Sequence, residues 1–68
     1  MFYISGMRNI FKWRRQILNM SQDELAKRAG VHQTNVSRLE RGFDRHVPLE
    51  AQRRIARVLG VRLKDRVD

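Results

Sequence analysis

The chain has 68 residues, no cysteine and a formal net charge of +8, with fifteen Lys and Arg against seven Asp and Glu. That length holds one domain at most and buries only roughly 60% of what the unfolded chain would expose, so it leaves little room for a closed catalytic pocket. The absence of cysteine removes disulfides and thiolate zinc sites and fits a reducing cytoplasm, while the positive excess is the footprint of a polyanion binder.

Residues 1 to 6, MFYISG, are expected to form an apolar arm ahead of the first helix. Phe2, Tyr3 and Ile4 are bulky and β-favouring, and Gly6 breaks the pattern. The arm has no Lys or Arg, so it is expected to cover exposed core or pair with another subunit rather than grip a polyanion. The opening residues lack the basic flank and apolar run of a secretory signal. No stretch approaches the ~18 apolar residues of a membrane span. The expected location is the cytoplasm.

Helical periodicity predicts a first helix over residues 7 to 18, with Met7, Ile10, Phe11, Trp13, Ile17 and Leu18 in one wide stripe. Arg14 falls inside that stripe, so its head must snorkel or meet a carboxylate. Trp13, a lone aromatic on a helix, is expected in the core or at a subunit contact. The second helix starts at a capping box, Ser21 with Glu24, and Met20 can staple onto Leu25. Leu25, Ala26 and Ala29 make a narrow inner face, and Gly30 supplies the left-handed residue that ends the helix.

A third helix follows after Val31 and His32. Val36 and Leu39 point inward, and Gln33, Thr34, Ser37 and Arg38 share the opposite side. A merely solvated helix is richer in Glu and Lys, which are better helix formers than Thr, Asn or Ser. This face gives up propensity for varied hydrogen-bonding groups, the clearest functional signal in the residues themselves. Gly42 closes the helix, a loop carries Arg45 and His46, and Pro48 suits the first turn of a fourth helix ending at Leu59 before Gly60. Leu49, Ile55, Ala56 and Leu59 share its inner face with Gln52, while Arg53, Arg54 and Arg57 line the other side. Val61 to Val67 is a candidate fifth helix.

The run SQDELAKRAGVHQTNVSRLERG, followed by a helix ending IARVLGV, resembles the Cro/repressor-type (XRE-like, lambda-repressor-like) helix-turn-helix family. Gln22, Leu25, Ala26, Gly30, Val36, Leu39 and Glu40 stand at the family's spacing, and the resemblance covers residues 7 to 61. It implies an all-α, compact four- to five-helix lambda-repressor-like bundle, with the motif at about residues 21 to 41 of a domain spanning 7 to 68. It also implies a sequence-specific DNA-binding transcriptional regulator, a repressor, acting as a homodimer on a pseudo-palindromic double-stranded operator. In the family's docking geometry the second helix of the motif enters the major groove. Carried onto this chain, Gln33, Thr34, Ser37 and Arg38 are the base readers, with Gln suited to adenine and Arg to guanine. Gln22, His32, Arg41, Arg45 and Arg15 are the expected phosphate contacts, and Arg45 lies within reach of the minor groove. Arg15 and Glu40 match a family ion pair joining helix 1 to helix 3.

Three departures stand out. Gln52 and Arg53 replace frequent leucines and are expected to thin the core under helix 4. The loop after Gly42 is a residue longer. Ile10, Trp13 and Ile17 are apolar where relatives are often polar, so with Phe2, Tyr3 and Ile4 they are expected to form a dimer contact or an arm-covered surface. The alternative function is a helix-turn-helix-fold interaction subunit of antitoxin-like or cofactor-like kind. RNA binding is disfavoured because the basic face lacks stacking aromatics. No cofactor, metal site or enzymatic activity is expected. Paired carboxylates, an activated nucleophile, a phosphate-cradling loop and metal-spaced ligands are all missing from the sequence.

Overall fold

The computed structural model describes residues 9 to 63. The arm and Met7 lie outside the described residues, as does most of the candidate fifth helix. Among the described residues, four helices and one 3-10 turn make up an all-α bundle: α1 (Ile10–Ile17), α2 (Gln22–Ala29), α3 (Gln33–Glu40), the turn (Asp44–His46) and α4 (Leu49–Leu59). Helices of eight to eleven residues are marginal in isolation, so tertiary packing must hold them. α2 packs against both α3 and α4, and α1 lies across the same two helices. Phe11, Leu25, Val36, Leu39, Ile55 and Leu59 are the most deeply buried large side chains and form the centre of the core.

Local chemistry sets the helix ends. Ser21 Oγ accepts from the Glu24 amide at 3.0 Å, while the Glu24 carboxylate turns away to accept from Arg28 at 3.3 Å. Gly30 ends α2 at φ 71°, and Val31 N–H closes a six-residue bond onto the Ala26 carbonyl at 3.0 Å. That left-handed step is what sets α3 across α2, and glycine takes it without Cβ strain. α1 ends by the same device with Asn19, a residue type that tolerates φ 61°.

The start of α1 differs from the sequence expectation. The helix begins at Ile10, capped by Asn9, whose Oδ1 accepts from the Phe11 and Lys12 amides at 2.9 and 3.1 Å. The Asn9 amide also donates to the Leu39 carbonyl at 2.9 Å, tying the head of α1 to α3.

The face of α1 is a second correction. Phe11 is buried, but Trp13 is 56% exposed and Ile17 53% exposed, so neither belongs to the core of the chain. The inner side is shared instead by Arg14 and Arg15. Arg14 Nε donates to the Leu59 carbonyl at 2.9 Å, where a cation meets the negative end of α4. Its partner is therefore a helix terminus rather than a carboxylate.

α4 brings two further corrections. Pro48 occupies the cap position rather than the first helical residue, and Leu49 is exposed rather than inward. Gln52, expected to thin the core, is buried and donates through Nε2 to the Asp44 and Val47 carbonyls, both at 3.0 Å. A leucine there would fill the space but leave those carbonyls without this donor. Gln52 thus pins the longer loop, and Val47 is buried beneath it.

Candidate nucleic-acid interface

α3 presents two chemically distinct sides. Val36, Leu39 and Glu40 are buried, while Gln33, Thr34 and Arg38 are exposed and Ser37 is half-buried. Those last four side chains line one open groove of about 550 Å³ together with Gln22, Arg41 and Phe43. The groove therefore combines amides, hydroxyls, two guanidinium groups and one aromatic ring, so the basic face does carry an aromatic, contrary to the sequence expectation.

Beneath it lies a buried polar tie. Arg15 Nε donates to Glu40 Oε2 at 2.6 Å, and its Nη2 donates to Oε1 at 3.1 Å. Arg15 Nη1 donates to the Met20 carbonyl at 2.7 Å. Gln22 Nε2 donates to Glu40 Oε1 at 3.0 Å, which leaves its second amide hydrogen for the groove. The two side chains of the ion pair are 12% and 3% exposed. One carboxylate of α3 thus binds residues from α1 and α2, fixing the pitch of the outward face of α3 against its neighbours.

The sequence-predicted residues separate into two groups. Gln22, Gln33, Thr34, Ser37, Arg38 and Arg41 come together in the groove. His32, Arg45 and Arg15 do not line it. His32 is exposed at the cap of α3 and makes no side-chain cap bond. Arg45 is exposed on the 3-10 turn. Arg15 is committed to Glu40 and Met20, and its side chain is 12% exposed. Among the described residues no group of three His, Cys, Asp or Glu could hold a metal ion, and no helix is long and apolar enough to cross a membrane.

Two residues in this region were not foreseen as contributors. Phe43 is not among the site residues expected from the sequence, although a hydrophobic residue just after a helix-ending glycine is a recognisable C-terminal signal. Asn9 was overlooked as a cap, although Asn immediately before an apolar periodic run marks a helix start.

Comparison with known proteins follows the same geometry. A helix-turn-helix family model matches residues 11–65. Control protein C.BamHI of Bacillus amyloliquefaciens is 44% identical over 50 residues, which cover 74% of this chain and 60% of that relative. The match thus spans less than two thirds of the relative's length. No solved structure matches the chain. With most of its length accounted for by the family model, the chain belongs to the helix-turn-helix family of the Cro/repressor (XRE) type.

Proposed function

We propose that this protein is a sequence-specific double-stranded DNA-binding transcriptional regulator, acting as a repressor, that inserts α3 into the major groove. The observation that carries the reading is the groove in which the four outward side chains of α3 converge with Arg41 and Gln22. Arg38 is assigned to fork onto guanine O6 and N7, and Gln33 to hold adenine N6 and N7. Thr34 and Ser37 supply hydroxyls between them. Gln22, with the free amides at the start of α2, and Arg41 grip phosphates on either side. His32 and Arg45 are flanking contacts outside the groove, and Arg15 acts through Glu40. The relative's designation as a control protein supports the regulatory part of the reading.

The functional unit is proposed to be a homodimer on a pseudo-palindrome, with half-sites one helical turn (~34 Å) apart. The exposed Trp13, Ile17 and Leu18 give α1 an apolar strip that a second copy, aided by the arm of residues 1 to 6, would cover. The same strip favours the second reading, an interaction subunit that keeps the fold without touching DNA. Titrating a duplex with the protein at rising salt separates the two. A dimer with roughly 6–10 phosphate contacts loses about 10³- to 10⁵-fold in affinity between ~50 and ~200 mM salt. A chain that binds no duplex at low salt, yet forms salt-insensitive protein complexes, is the interaction subunit instead.

A further inference from the structure

We propose that Phe43 is a specificity-determining residue that packs on the C5-methyl group of a thymine at the edge of the groove. The inference rests on the DNA-binding reading and deepens it, because it adds a base preference carried by no hydrogen bond.

Phe43 is a large apolar side chain, 46% exposed, in a groove otherwise lined by polar and cationic groups. That exposure leaves apolar surface on offer within the groove, and covering it would add favourable burial. Closing α3 does not require the ring. The closing bond is made by the backbone, from Phe43 N–H to the Arg38 carbonyl at 2.8 Å, after Gly42 at φ 86°. The backbone bond and two side-chain contacts nonetheless fix where the ring sits. The Arg41 guanidinium carbon lies 5.2 Å from the ring centroid, on one face. The His46 ring meets it edge-on, with centroids 6.4 Å apart and an interplanar angle of 68°.

The ring is therefore held in place beside Arg38 and Arg41 with much of its surface open. Of the base-edge groups displayed in the major groove, the thymine methyl is the apolar one, and phenylalanine is among the side chains that suit it. Phosphate offers the ring nothing. The competing role is to orient Arg41 toward a phosphate, which would be indifferent to the base.

Replacing thymine by uracil removes the methyl and leaves the pairing intact, so it separates these roles. A duplex selected by the wild-type protein is resynthesised with each thymine changed in turn to uracil. Binding of each duplex to the wild type, Phe43→Ala, Phe43→Leu and Thr34→Ser is then measured by anisotropy. Thermal melts of the free proteins check that each variant is folded. At one thymine per half-site, uracil should weaken the wild type about fourfold, the worth of one buried methyl group. Phe43→Ala should bind the two duplexes equally, Phe43→Leu should keep most of the difference, and Thr34→Ser should leave that position unaffected. The proposal is overturned if Phe43→Ala retains the full discrimination at every thymine, or if the wild type has no sensitive thymine. Failure of the wild type to select any duplex is a distinct result, which overturns the DNA-binding reading and this inference with it.

Discussion

Replacing Glu40 by alanine is expected to destabilise the domain by about 3–5 kcal/mol, the usual cost of removing one partner from a buried ion pair. Glu40 and Arg15 expose only 3% and 12% of their side chains, so little solvent screens them. Removal of the carboxylate would leave the Arg15 guanidinium with its bond to the Met20 carbonyl, and would free the Gln22 amide as well. A domain of this size has a total stability of roughly 3–10 kcal/mol. At the low end of that range the variant would be largely unfolded at ambient temperature, and at the high end its urea midpoint would fall sharply. Glu40→Gln keeps one acceptor oxygen and should lose less. The exposed pairs Asp23–Lys27, Glu24–Arg28 and Glu50–Arg54 supply the internal contrast, since such pairs contribute about 0–1 kcal/mol each. Urea denaturation followed by helical circular dichroism reads all of these. A Glu40→Ala protein within about 1 kcal/mol of wild type would remove the tie from the account.

The second large effect concerns binding. Arg38→Ala should cost about 1–3 kcal/mol on the preferred duplex and relax the preference at one base pair. Arg41→Ala should weaken preferred and random duplexes alike and lower the salt slope by about one. The difference follows from placement. Arg38 lies within α3 on its outward face, whereas Arg41 caps the helix and sits over Phe43 at the groove's edge. Comparable losses for Arg38→Ala on both kinds of duplex would end its base-reading role.

What could be read from the sequence was mostly local. Ser21, Gly30, Gly42 and Gly60 mark helix ends through bonds that close within six residues, so the chain's own order discloses them. Gln33, Thr34, Ser37 and Arg38 converge because helical spacing alone puts them on one side. The inner face of α1 was misread for the opposite reason. Counting apolar residues put Trp13 and Ile17 in one stripe with Phe11 and left core and subunit contact open for Trp13. The acceptors that draw Arg14 and Arg15 in, Leu59 O and Glu40, lie 45 and 25 residues away in sequence. Gln52 was misjudged for a similar reason, because a polar residue on an apolar face looks like a defect until its two carbonyl partners are in view. The Arg15–Glu40 partnership entered only through the family resemblance, since no periodicity connects those two positions. Phe43 differs again: the signal it shares with Gly42 marks the end of α3 but does not say that its ring faces the groove.

The most direct test of the central claim, that the outward face of α3 reads base pairs in duplex DNA, is selection of bound duplexes from a random pool at moderate salt. A pseudo-palindrome with half-sites one turn (~34 Å) apart should be recovered. Each half-site should also hold a guanine whose preference disappears when the selection is repeated with Arg38→Ala. No enrichment by the wild-type protein, or the same site recovered unchanged with Arg38→Ala, would contradict the claim.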